Sequence, residues 1–344
     1  MTMAVTILDV AKKAGVSQST VSLVINDSAK VSYKTRSRIL KVIKDLGYIP
    51  NRGARSIVTS RTSNIGLLVV LENNLSDDPY SMENIVNSFS TDIVAGVEQE
   101  IYTTNYGLIY ARCDGRSEQE LPKIVDPSYI DGLIIIGGSY TTGFLKAIEK
   151  TEIPTIITGS NYTTRKISSI FCDTYTAMKE MILYLIKIDR RSIALINSSN
   201  VSFNSEAKLK GYRDALIESG LPFDEKLVIA TGFSGIDGAK AVRALLKAGK
   251  RIDAIACAFD GLAVGALREL YAQKIQVPQQ IALTGFEDSW IASHAIPSIT
   301  TVRIPKFKIG KMLLNNLLDI LKGRTNPGFK ILVDADIIVR ETTP

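Results

Sequence analysis

From Asn64 onward the chain alternates short aliphatic and β-branched runs with segments of helical period, and this alternation restricts the fold more than any other feature of its 344 residues. The runs are "NIGLLVVL", "YGLIYARC", "DGLIIIG", "IPTIITG", "RSIALIN", "KLVIATG", "DAIACAF" and "QIALTGF", with "SSIFCD" as a further strand. Between them lie amphipathic stretches such as "STDIVAGVEQEIYTTN" and "NSEAKLKGYRDALIESG". Repeated strand-helix-strand order requires crossover connections, hence α/β architecture with parallel sheets covered by helices on both faces. About ten strands divide more readily into two similar lobes than into one sheet, and ligands of such folds bind at the carboxyl ends of the strands, here the cleft between lobes.

The first sixty residues follow a different pattern. Thr6 with Asp9 three positions later reads as a capping box, and Ile7, Val10, Ala11 and Ala14 then share one helical face. Gly15 supplies the positive φ of a sharp turn, and Ser17 caps a second helix. In that helix Val21, Val24 and Ile25 point inward, leaving Gln18, Ser19, Ser22, Leu23 and Asn26 outward or at the rim. A third helix starts at Ser32, carries Lys34, Arg36, Arg38, Lys41 and Lys44 on its polar side and Ile39, Leu40, Val42, Ile43 and Leu46 largely inward, and stops at Gly47. Residues 1–63 hold eleven Lys/Arg against three Asp and no Glu, a charge of +8, whereas the remainder carries −2. A charge run alone is usually a solvated face. Combined with a tight turn and a helix of small hydroxyl and amide side chains suited to base edges and phosphates, it points to DNA.

The segment "TILDVAKKAGVSQSTVSLVIN…VSYKTRSRILKVIKDLGYIPNRGARSI" resembles the DNA-binding headpiece of the lactose/galactose repressor (LacI/GalR) family of bacterial transcription regulators. The resemblance implies a helix-turn-helix headpiece over 1–49 and a hinge helix and linker over 50–63. Residues 64–344 would form a two-lobed, periplasmic-binding-protein-like core, with the N-lobe near 64–163 plus 293–324 and the C-lobe near 164–292 plus 325–344. It places Gln18, Ser19 and Leu23 at base-reading positions, with Ser17, Thr20, Ser22 and Asn26 supporting them or touching the DNA backbone. The implied DNA-binding set also takes in Thr6, Ser32, Thr35, Tyr48, Asn51, Arg52 and Arg55, and in the hinge Ala54 and Ile57, the latter as a minor-groove wedge.

The likeness continues through "VDPSYIDGLIIIG", "KLKGYRDALIESGL", "FDGLAVGALRELYAQKIQVPQQIALTGFEDS" and "IPSITTVRIPKFKIGKMLLNNLLDIL". It implies a homodimer on a pseudo-palindromic operator and a small-molecule effector, usually a sugar or sugar derivative, in the cleft. The effector either releases the DNA or acts as a corepressor. Lys208 stands where the family often has Arg, Phe259 and Asp260 where Asn-Asp is common, and Glu287 where the first Asp of "GFDD" is usual. Tyr80 and Trp290 offer aromatic faces for a sugar ring, with core packing an equal alternative for Trp290; Phe259 is expected to line the cleft. Asp173 either reaches the cleft or caps the helix that follows it.

Other classes fit less well. The longest apolar runs fall short of the roughly 20 residues that span a bilayer. The N-terminus has no basic region before its apolar run, so a cytoplasmic protein is expected. Cys113, Cys172 and Cys257 form no CxxC pair, and no metal or cofactor is expected. The single histidine, His294, and the lack of GxGxxG after a strand, GxxxxGK[ST] or GxSxG argue against an enzyme. A sugar-binding module without DNA function, or a sugar-active enzyme, are the alternatives. Exchanging Gln18 and Ser19 together is expected to change the operator sequence enriched from random duplexes; unchanged base preference would remove these residues from the reading surface.

Overall fold

The computed structural model describes residues 5–25, 30–48, 62–70, 88–116, 121–138, 140–199 and 202–344, which belong to two units, residues 1–62 and 63–344. In the first unit, helix α1 (Ile7–Ala14) opens with the reciprocal cap: the Thr6 N–H donates to Asp9 Oδ2 at 2.9 Å and the Asp9 N–H to Thr6 Oγ1 at 3.4 Å. Gly15, at φ 63°, ends it, and the Val16 N–H returns to the Ala11 carbonyl at 3.1 Å. A side chain at that φ would cost about 1–2 kcal/mol. Helix α2 (Gln18–Ile25) follows, with the Thr20 N–H donating to Ser17 Oγ at 3.1 Å. Helix α3 (Tyr33–Leu46) closes a small core of Val10, Ala11, Ala14, Val21, Val24, Ile39 and Val42. Leu40, expected inward, is 49% exposed. The next position is turned about 100° around a helix, so burying Ile39 and Val42 swings Leu40 outward.

The second unit contains two parallel sheets. The first has β1 (Asn64–Val70), β2 (Gly107–Cys113), β3 (Gly132–Ile136), β4 (Thr155–Thr158), β5 (Ile167–Cys172) and β11 (Lys330–Val333) in the order β11-β5-β4-β3-β1-β2. The second has β6 (Ile193–Ser198), β7 (Val228–Thr231), β8 (Ala254–Cys257) and β9 (Ala282–Thr284) in the order β7-β6-β8-β9. An antiparallel ribbon joins β10 (Thr301–Arg303) to β12 (Asp336–Ile338).

The inner strands β1, β3 and β8 are apolar and buried on both faces because both faces are covered. Along β1, Ile65, Leu67 and Val69 join the core beneath helices α4 (Ser88–Ile101) and α11 (Lys306–Leu321), while Leu68 and Val70 join that beneath α5 (Thr142–Lys150). Across the second sheet, α6 (Thr174–Lys187) and α7 (Phe203–Glu218) pack on one face, and α8 (Gly235–Lys247) and α9 (Asp260–Ala272) on the other. A short helix α10 (Trp290–His294) precedes β10.

Sheet pairing corrects the expected lobe limits. Ile167 pairs with Thr155, and Lys330 with Ser169, so residues 167–172 and 330–333 extend the first sheet rather than belonging to the second lobe. The chain therefore passes to the second lobe after Cys172 and not near residue 163, because β5 completes the parallel sheet before its helix begins.

Helices α4 and α11 approach through two glycines. A Cβ on Gly310 would overlap the Ile93 carbonyl oxygen, and one on Gly96 the Phe307 carbonyl oxygen. Gly310→Val should force these helices apart and lower stability by about 1–3 kcal/mol in urea denaturation; an unchanged midpoint would mean that the contact is slack.

Candidate functional site

On the first unit, Gln18 and Ser19 are exposed at the start of α2, with Ser22 and Leu23 partly exposed. The Ser17 hydroxyl lies 2.7 Å from that of Ser19 and 2.8 Å from that of Thr20, a hydroxyl cluster at the helix N-terminus where backbone N–H groups favour anions. Thr6 and Ser32 likewise cap α1 and α3, with Thr35 bonded to Ser32 and Tyr48 packed against the core. Lys34, Arg38, Lys41 and Lys44 are exposed on α3. Asn26, Asn51, Arg52, Ala54, Arg55 and Ile57 lie outside the described residues.

On the second unit, the candidate residues converge at the carboxyl end of the second sheet, where β6 and β8 are neighbours but the helices after them leave on opposite faces, the switch point of such sheets. Lys208, on α7, is 4% exposed. Its Nζ donates to the Ala258 carbonyl at 2.7 Å and lies 4.1 Å from the ring centroids of both Phe259 and Phe286. Burial pushes this ammonium down to about 8, against the opposing pull of Glu287, Cys172 and Asp260. Phe259 is half-buried at the N-cap of α9 and meets Phe233 edge to face at 5.0 Å.

Asp260 follows and has no exposed surface. Its Oδ2 accepts from the Ser289 N–H at 2.6 Å and hydroxyl at 2.9 Å, and its Oδ1 from the Thr301 hydroxyl at 2.7 Å. Asp260, expected to touch the effector, ties α9 to the loop after β9 and to β10. Both its oxygens are occupied within the protein.

That loop carries Glu287 and Asp288 in succession at φ 103° and φ 48°, a backbone region that side chains seldom adopt. Surrounding bonds hold it there: Glu287 N–H to Val302 O at 2.8 Å, and Asp288 to Arg303 and Arg340 at 2.6 Å each. Although burial works to raise the Asp288 carboxyl, these two guanidiniums hold it below the ordinary carboxylate range. Glu287 is 6% exposed. Burial first, and the Asp260 charge second, push it up to about 7 against Lys306 and Lys208. Lys306, itself buried, sits 2.9 Å from the Asp92 carboxylate.

For Asp173 and Trp290 the sequence left two readings open. Both Asp173 oxygens bond Thr176 (Oδ1 to its N–H at 3.0 Å, Oδ2 to its hydroxyl at 2.7 Å), capping α6. Trp290 is 63% exposed, which removes core packing; its ring contact is His294. Tyr80 lies outside the described residues. Sequence reasoning did not single out Asn204, whose Nδ2 donates to the Gly159 carbonyl at 2.9 Å and so bridges α7 of the second lobe to the end of β4 in the first. Nor did it find Phe286, Ser289 or Thr301, since nothing local marks them as neighbours of Lys208 or Asp260. Among the described residues no group of His, Cys, Asp and Glu could hold a metal ion, and no helix is long and apolar enough to cross a membrane.

A helix-turn-helix unit followed by two parallel lobes with a polar cluster at their strand ends defines a ligand-responsive DNA-binding regulator. Residues 6–51 match the family of bacterial regulatory proteins of the lacI type, and residues 182–343 a periplasmic binding protein-like domain. The chain is 31% identical over 338 residues to the HTH-type transcriptional regulator CelR of Thermobifida fusca, covering 97% of this chain and 96% of that protein. It is 28% identical over 345 residues to the ribose operon repressor of Haemophilus influenzae, covering 98% of each. Among solved structures, a complex of the regulator CelR with cellobiose is similar with a TM-score of 0.73 and 29% identity, over 98% of this chain and 99% of that one. The chain belongs to the lacI family, and it is a DNA-binding transcriptional regulator.

The raised Glu287 carboxyl sets a pH dependence. Between the ordinary carboxylate range and about 7 the folded state binds more protons than the unfolded one, so stability falls as pH rises through this window. Glu287→Gln should therefore melt higher than the parent at pH 8, with the advantage vanishing near pH 4; a difference independent of pH would contradict a buried titrating carboxyl.

Proposed function

We propose that this regulator represses carbohydrate-utilisation genes by binding a pseudo-palindromic operator as a homodimer in the cytoplasm, and that a sugar in the interlobe cleft controls that binding. The observation that carries the reading is the joint presence, in one chain, of a helix-turn-helix with exposed Gln18 and Ser19 and a core that brings a buried carboxylate and aromatic rings to the carboxyl ends of its strands. The sugar-bound CelR structure and the ribose operon repressor support the effector class.

Base contacts would come from Gln18, Ser19 and Leu23, with hydroxyls and amides of Ser17, Thr20, Ser22 and Asn26 along the backbone. Thr6, Ser32, Thr35, Tyr48, Asn51, Arg52 and Arg55 would add to the phosphate-side contacts, and Ala54 and Ile57 would enter the minor groove. In the cleft, Glu287 would accept from effector hydroxyls, and Phe259, Tyr80 and Trp290 would offer ring faces. Two lobe arrangements, only one of which spaces the headpieces for the operator, would couple the sites by roughly 1–3 kcal/mol.

Selection from a random duplex pool with the full chain should enrich a two-fold-related sequence, and affinity for it should fall steeply with salt as phosphate counterions are released. Enrichment of no sequence, or of a single half-site bound by one protomer, would contradict the operator reading.

A further inference from the structure

The three helices of the headpiece differ in charge. Helix α1 carries Asp9, Lys12 and Lys13, and α3 carries Lys34, Arg36, Arg38, Lys41 and Lys44, whereas α2, "QSTVSLVI", has no ionisable side chain. The cations that attract a phosphate backbone thus flank α2 without lying on it. An Arg or Lys makes the bidentate contact that marks guanine in the major groove, and a helix without either cannot make it.

Leu23 is an apolar residue that the packing of the headpiece does not use. Val21 and Val24 are buried in the headpiece core, and Ile25 packs against that core. At about 100° per residue, Leu23 lies about 200° around the helix from Val21 and one turn beyond the exposed Ser19. It is partly exposed, and among the described residues it belongs neither to that core nor to the apolar side chains packed on it. One such leucine is ordinary on a surface that stays in water. On a helix that enters the major groove it meets base edges, which are donors and acceptors except for the C5-methyl of thymine. Set against a donor or acceptor, a leucine removes its water and returns no hydrogen bond. Against the methyl, both apolar surfaces are buried.

We propose that Leu23 reads a thymine C5-methyl, so that each operator half-site holds a thymine at the base pair facing Leu23 and the discrimination made there is apolar, with no ionic part. This inference rests on the proposed role of α2 in reading the operator. It names the group that the helix recognises on the base.

The test takes the duplex selected with the full-length protein and replaces its thymines by uracil one at a time, which deletes the methyl and keeps every hydrogen-bonding edge. One position in each half-site is expected to lose affinity about 3- to 6-fold, the worth of burying one methyl. That ratio is expected to hold as salt is raised, while the affinities for both duplexes fall. Leu23→Ala, which raises helix propensity at a partly exposed position and so should fold, is expected to bind the thymine and uracil duplexes alike at that position. The absence of any uracil-sensitive position, or a sensitivity that Leu23→Ala retains, overturns the inference and leaves α2 as the reading helix. Enrichment of no sequence from the random pool overturns the operator reading and the inference together.

Discussion

The buried Asp260 carboxylate is the tie on which the geometry of the cleft depends. Three donors, from Ser289 twice and Thr301 once, join the first turn of α9, the loop after β9 and the ribbon strand β10. Burial raises this carboxyl above the ordinary range, and the three hydrogen bonds, which favour its charged form, oppose that shift. The close packing of Gly285 against it leaves no room for a side chain, because a Cβ there would overlap Asp260 Oδ1. Helix, loop and crossover strand are therefore held as one piece. Any ligand that moves the loop must act on the ribbon as well.

The two residues after Phe286 convert that tie into a functional arrangement. Positive φ at Glu287 and Asp288 costs of order 1–3 kcal/mol per residue, and such backbone persists only where its surroundings determine it. Here the determinants are the β10 backbone, Arg303 and Arg340. Glu287 carries a burial cost, and Asp288, its neighbour, is bonded to Arg303 and Arg340. Asn204 reaches from α7 to the Gly159 carbonyl across the same cleft. The loop after β9, the ribbon and the two lobes are thus joined by short, directional contacts.

Much of this was legible in the residues. The parallel sheets were, because strands buried on both faces must be aliphatic throughout, as "GLIII" is. The headpiece was, because Thr6, Asp9 and Gly15 act on their own backbone within a few residues. What escaped depends on contacts distant in sequence. The membership of β5 and β11 in the first sheet follows from pairing that no local pattern encodes. Lys208 stands out by its position in the sequence, but the rings beside its ammonium, Phe259 and Phe286, come from separate loops. Asp260 reads as a cleft residue from its position after a strand, and only the fold shows Ser289 and Thr301 closing over it. Leu40 failed for a simpler reason: a helix with many apolar residues cannot turn all of them inward.

The proposed regulation couples an operator-reading headpiece to a sugar-binding cleft in one chain. The most direct measurement is fluorescence-anisotropy titration of a selected operator with the full-length protein, in the absence and in the presence of a saturating saccharide that binds it. With that coupling, operator affinity is expected to shift by about 5-fold or more, and operator to shift saccharide affinity by the same factor, as linkage requires. Operator affinity unchanged by a saccharide that demonstrably occupies the protein would contradict it.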